Sequence, residues 1–156
     1  MFLVENIVGY LAWANTSIWK IVETLSDDEF ERSLAENVGS IQRRYIHLAE
    51  DSWEWYHDWH GDHPQEPDFY NMTRGELYQF ISDYMDKWQT AIVERNIEEF
   101  TDERAGKVVV MTIDEILFHL VNHFTYHRGQ IAMGLKILGK EVPMTDYVPY
   151  RFSVIQ

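Results

Sequence analysis

The run Phe118-His-Leu-Val-Asn-His-Phe-Thr-Tyr-His-Arg-Gly-Gln130 places three histidines at intervals of four, His119, His123 and His127. Imidazole nitrogens are transition-metal ligands, and residues four apart on a helix lie one above the other, so neighbours in this ladder can grip one ion. All three cannot share it, because a rise of about 1.5 Å per residue sets His119 and His127 roughly 12 Å apart along the axis. The apolar seam selects the pair. Ile113, Leu117, Leu120, Phe124, Ile131 and Leu138 follow alternating steps of four and three, and His127 falls on one of those steps. At about 100° per residue His123 lies roughly 40° to one side of His127, and His119 about twice as far round toward the polar flank. His123 and His127 are the expected pair, since burying two adjacent imidazoles without a shared partner is costly. His119 is expected on the polar flank, or behind the ligands.

Two imidazoles make a weak site, and a stable protein-bound metal usually has three or more protein ligands. Of the other histidines, His57, His60 and His63 cluster around Gly61 and Pro64, where a helix ends, and are expected to be a solvated helix terminus. His47 lies well inside a helical stretch, in Tyr45-Ile-His-Leu-Ala-Glu-Asp51, flanked by apolar residues. It is the one placed to point into a core, although a lone core histidine is more often hydrogen-bonded than ligating.

The elements that must carry these residues follow from punctuation. A first helix runs from about Phe2 to Thr24, and Ser26-Asp-Asp-Glu29 is a capping box that opens a short extra turn. Ser40 is the expected N-cap of a second helix that reaches His60 and stops at Gly61. Thr73-Arg-Gly-Glu76 opens a third, reaching about Glu98, and Thr112-Ile-Asp-Glu115 opens a fourth, which carries the histidine pair to Gly139. Pro64, Pro67, Pro143 and Pro149 all fall outside these four helices, as helix interiors require. Lys107-Val-Val-Val-Met111 is the one β-like run, a short extended segment or hairpin in the third connection. The expected fold class is all-α, a four-helix bundle with short extra turns in its connections, and residues 1–156 are expected to form one domain.

Composition narrows the chemistry. The 46% of hydrophobic and 15% of aromatic residues support an ordered core, and the six tryptophans, Trp13, Trp19, Trp53, Trp55, Trp59 and Trp88, are expected to fill it or a dimer interface, with walling a pocket by the metal as the alternative for some. There is no cysteine, so a metal site must be built from His, Asp, Glu, carbonyls and water, a donor set for divalent zinc, nickel, iron or manganese. A formal charge of -13, with Arg43-Arg44 as the only dense basic pair, argues against nucleic acid as a partner. No apolar stretch approaches the roughly 20 residues that cross a bilayer, and Met-Phe-Leu-Val-Glu lacks the basic start of a signal peptide, so no membrane role and a cytoplasmic location are expected.

With the residues in this order the sequence resembles the DinB/YfiT-like superfamily of four-helix metalloenzymes. The central match is His119-Leu-Val-Asn-His-Phe-Thr-Tyr-His-Arg-Gly-Gln130. It is joined by His47-Leu-Ala-Glu-Asp-Ser-Trp53, Trp13-Ala-Asn15, Gly39-Ser-Ile41 and the tail from Leu138-Gly139 through Asp146-Tyr147, nearly the whole chain. The resemblance implies that His47, His123 and His127 are metal ligands with open positions for water and substrate, commonly in a homodimer. It implies one divalent ion per chain, zinc or nickel ahead of iron or manganese. Characterised relatives include S-transferases and an isomerase that use low-molecular-weight thiols. The implied function is therefore a metal-dependent thiol transferase or hydrolase, activating a small thiol or water against a small electrophilic substrate. The alternative is a non-catalytic, stress-response metal-binding protein whose ion only cross-links helices. Asp51, one turn beyond His47, and Asn122 or Gln130 are candidates to orient the ligands, with surface solvation an equal alternative for Asp51.

Overall fold

Caps and seams form helices where the sequence places them. In the computed structural model, which describes residues 2–35, 38–94, 99–104 and 106–154, α1 spans Phe2–Val22, the short α2 Asp27–Glu31, α3 Ile41–His60, α4 Arg74–Glu94, α5 Ile113–Ile137 and α6 Tyr147–Val154. The Ser26, Thr73 and Thr112 side chains each accept the N3 backbone N–H while Glu29, Glu76 and Glu115 each accept the N-cap backbone N–H, so all three expected capping boxes close. Ser40 accepts from the Arg43 backbone, and α3 ends on Gly61 at φ 66°, a left-handed conformation that glycine adopts without strain. The end expected for the third helix, Glu98, lies outside the described residues.

Packing sets the order of the bundle. α1 lies against α4 and α5, and α3 lies against the same two, so the cyclic order is α1, α4, α3, α5. The first two long helices therefore sit diagonally. Their connection crosses the bundle end through α2, which buries Phe30, and Lys140 after α5 ties down its Glu29 at 2.8 Å. Trp88, Phe69, Phe124, Leu11, Ile18, Leu77 and Ile116 fill the centre, each contributing roughly 1.5–3 kcal/mol by leaving water. On α5 the seam residues Ile113, Leu117, Leu120, Phe124 and Ile131 are all buried, as their spacing requires. α5 also approaches the start of α3 closely at Gly134, where a Cβ would stand 2.9 Å from Leu34 Cδ1 and 3.3 Å from Ile41 Cγ1.

The β-like run resolves as a hairpin. β1, Glu99–Arg104, pairs antiparallel with β2, Lys107–Thr112, with Phe100 opposite Met111, and Gly106 at φ 73° lies in the turn. The strand β1, Glu-Phe-Thr-Asp-Glu-Arg, is only legible through its partner, because it has almost no apolar alternation. The helix α6 was not expected. Pro149 sits in its first turn, where a missing N–H breaks no helical bond, and Tyr150 packs against Tyr10 and Trp13 on α1. Gly9 makes that contact possible, since a Cβ there would lie 2.7 Å from Tyr150 Oη.

Candidate metal centre

Adjacency of α3 and α5 brings together two i, i+4 pairs, His47 with Asp51 and His123 with His127. One donor atom from each of these four residues lies within 4.8 Å of the other three. The ring centroids of His47 stand 4.5 Å from His127 and 5.4 Å from His123, and those of His123 and His127 are 4.4 Å apart. His123 Nε2 donates to Asp51 Oδ2 at 2.5 Å, and His47 Nε2 approaches the same oxygen at 3.2 Å. His127 Nδ1 donates to Gln130 Oε1 at 2.9 Å, which leaves the Nε2 lone pair of His127 free. The pair read from spacing, His123 and His127, thus converges with His47, singled out by its place in mid-helix. Asp51 joins them, only 8% exposed, so its solvated alternative does not hold.

The donor set fits a divalent ion. Tetrahedral bonds of about 2.0–2.1 Å place ligand atoms roughly 3.3 Å apart, a modest contraction that rotation of the rings can supply. Nitrogen and carboxylate oxygen without sulfur suit a first-row divalent cation and do not choose among zinc, nickel, iron and manganese. Gln130 supplies the hydrogen bond that fixes one ligand tautomer, as metal-site histidines generally require, whereas Asn122 is solvent-exposed.

Burial holds the His127 ring below the usual histidine range, and the neighbouring His123 and His47 act in the same direction against the Gln130 and Asp51 contacts. A depressed pKa means that the unfolded chain takes up a proton, from the ordinary value of 6.5 downward, that the folded chain resists. Stability due to this group is complete above that pH and is lost as pH falls toward the folded value. In chelator-treated protein, the urea midpoint should therefore drop below about pH 6.5 more steeply than in a His127→Leu variant. Parallel curves for the two proteins would refute the assignment of that slope to His127.

The remaining histidines separate. His119 is half-buried, with its ring 4.5 Å from Trp55 and 5.6 Å from His123, on the flank as its angle on the helix requires. His60 and His63 are exposed at the end of α3, as expected. His57 corrects the expectation of a solvated terminus. It is buried, its Nδ1 donates to Asp62 Oδ1 at 2.7 Å, and its Nε2 accepts from Tyr84 Oη at 2.7 Å. Burial pushes the Tyr84 hydroxyl up to about 12, so it remains a donor and this chain locks the end of α3 to α4. The tryptophans also divide. Trp59 and Trp88 are core, and Trp53 lines a cleft of about 470 Å³ together with His47, Glu50, Asp51, Glu54, Asp58 and Glu66. Trp53 is thus a tryptophan that walls a pocket by the site, and the part not legible in the sequence is Glu66, which comes from the connection after α3 while the other lining residues are on α3 itself.

The geometry can be set beside known proteins. The model of the DinB family matches residues 1–155. The chain is 44% identical over 45 residues to Protein DinB of Bacillus subtilis (strain 168), a stretch that spans 29% of this chain and 26% of that protein. Its fold is similar to YfiT from Bacillus subtilis, described as "a probable metal-dependent hydrolase with an unusual four-helix bundle topology", with a TM-score of 0.67, 12% identity and coverage of 88% of this chain and 89% of that one. It is similar also to a DinB-like protein from Bacillus cereus ATCC 10987, with a TM-score of 0.59, 20% identity and coverage of 88% and 94%. At such identities the structural likeness speaks for the fold alone. With the family model covering nearly every residue of a helical bundle that gathers a His/Asp cluster able to hold a metal ion, the chain belongs to the DinB family.

Proposed function

We propose that His47, His123 and His127 hold one divalent ion and that the protein is a metal-dependent enzyme acting on a small electrophile. The observation that carries this reading is the position of the donor cluster on the wall of an open cleft, with His47 and Asp51 shared between the two. When bound, the ion would lower the pKa of a thiol or water and polarise the group under attack. The chain's own residues do the rest. With the Nε2 atoms that already converge on Asp51 as the ligating atoms, His47 and His123 would carry their N–H on Nδ1, and a closer approach of Glu50 Oε2, now 3.8 Å from His47 Nδ1, would let it receive one of them. That shift frees Asp51 Oδ2 from two N–H donors. Asp51 then faces the cleft as the nearest carboxylate able to accept the proton that the nucleophile loses as its bond to the electrophile forms. Trp53 and the open cleft beside it supply a wall and space for the substrate body.

A second reading draws on the same Asp51. A structural site is usually closed by four protein ligands, and Asp51 is a fourth donor within reach, so the ion could serve only to cross-link α3 and α5. Activity separates the two. Loss of a panel of small electrophiles would be followed with several cellular thiols and with water alone, comparing metal-loaded, chelated and His127→Ala protein. We expect at least one pairing to react faster with the loaded protein, and no difference anywhere would leave the cross-linking role as the better account.

A further inference from the structure

The geometry points to a binding site for a small organic acid in the cleft beside Arg44, with the carboxylate on Arg44 and Gln130 and the apolar body on Tyr126 and Met133. The cleft holds about 260 Å³ and is lined by Val38, Arg44, Tyr126, Gly129, Gln130 and Met133. Its walls come from two elements. Gly39, at φ 69°, turns the chain into α3, and the Val38 carbonyl just before it accepts from Arg44 Nη2 at 2.9 Å. On α5, Tyr126, Gly129, Gln130 and Met133 stand at i, i+3, i+4 and i+7, so they share one face of the helix. No atom lies within 4 Å of the place where a Cβ on Gly129 would stand, which leaves the floor between Tyr126 and Met133 open.

Charge and hydrogen bonding choose the occupant. Arg32, Arg43 and Arg74 each have a carboxylate within 4.0 Å, whereas among the described residues none stands at that distance from Arg44. Its Nε is buried without an acceptor, and the Val38 carbonyl is its one hydrogen-bond partner there, so a guanidinium with five N–H donors is short of acceptors. Gln130 adds a second donor. Its Oε1 accepts from His127 Nδ1, which leaves the two N–H groups of Nε2 over. A cation and an amide donor beside an aromatic ring and a thioether match a carboxylate with an apolar body, and a dianion such as phosphate would keep one charge without a partner. The volume lies below the roughly 300–1,000 Å³ of clefts that hold drug-sized ligands, which limits the body to a ring or a short chain. The larger cleft at His47 repels the same ligand, because Glu50, Asp51, Glu54, Asp58 and Glu66 line it. Gln130 stands on the Nδ1 side of the His127 ring, away from the Nε2 lone pair offered to an ion, so the acid sits behind that histidine and needs no metal. Its absence would leave the metal reading untouched.

The test titrates benzoate into the full, chelator-treated chain at constant ionic strength and follows the amide signals by two-dimensional NMR. Shifts should be confined to Val38, Arg44 and the α5 face from Tyr126 to Met133, the side-chain amide of Gln130 included, with a dissociation constant on the order of a few millimolar. Benzamide, which keeps the ring without the charge, and acetate, which keeps the charge without the ring, should each bind at least about tenfold more weakly. Arg44→Gln should weaken benzoate about 10–100-fold. Met133→Glu, at an exposed position, sets a fixed carboxylate against Arg44 and should weaken it likewise with unchanged helical circular dichroism, while Lys20→Gln on α1 should change nothing. The proposal is overturned if benzoate moves none of these signals, if benzamide binds as well as benzoate, or if both cleft variants bind like the unaltered chain.

Discussion

Replacing His127 by alanine should reduce bound metal from near one equivalent per chain to less than about a tenth, because two imidazoles are too few to retain a divalent ion. His119→Ala should leave metal content unchanged. The contrast follows from where the two rings stand: His127 is buried and within 4.5 Å of the His47 ring, whereas His119 packs its ring on Trp55 at the outer edge of the cluster. Gln130→Ala falls between them. It removes the acceptor that keeps the His127 proton on Nδ1, and losses of such supporting hydrogen bonds generally weaken metal affinity about 10–100-fold. The measurement is metal per chain by elemental analysis after dialysis against a weak chelator, with helical content checked in each variant. Retention in His127→Ala together with loss in His119→Ala would mean that the ion sits one turn away from the cluster described here.

The pair His123 and His127 was legible because a histidine standing on a step of an apolar seam has nowhere to point except inward, and a partner four residues before it shares the direction. His47 was legible for a weaker reason, its place among apolar residues in mid-helix, and the adjacency of α3 and α5 is what turns that placement into a contact with the pair. Asp51 shows where helix arithmetic runs out. One turn from His47, it could face the pair or the solvent with equal ease, and only the neighbouring helix decides. The same holds for His57, whose burial depends on Tyr84 of α4 and on Asp62 beyond the helix end. The order of the helices was also not legible. Each has one apolar face, and with connections long enough to hold α2 or a hairpin, that face is compatible with either neighbour. The residues of β1 were not legible beyond the expected hairpin because they lack alternation, and α6 was not legible because it carries a proline in its first turn.

Substituting Asp51 by asparagine separates the proposed chemistry from a purely cross-linking ion. Asparagine keeps the size of the side chain and an oxygen that can accept a hydrogen bond from His123, but it cannot take up a proton at neutral pH. If Asp51 is the acceptor of the nucleophile's proton, the variant should retain about one ion per chain while turnover of any substrate found in the electrophile panel falls by about 10²–10⁴-fold, the usual range for removing a general base. The pH profile adds a readout that a packing defect would not reproduce: the limb that reports a carboxylate in the unaltered enzyme should vanish in the variant. If Asp51 instead closes the coordination sphere, a neutral amide is a poorer ligand than a carboxylate, and metal content falls along with thermal stability. The two expectations move in opposite directions on the same sample. A variant that keeps both its metal and its turnover within a few-fold would remove Asp51 from either role, leaving three histidines on α3 and α5 as the whole of the site.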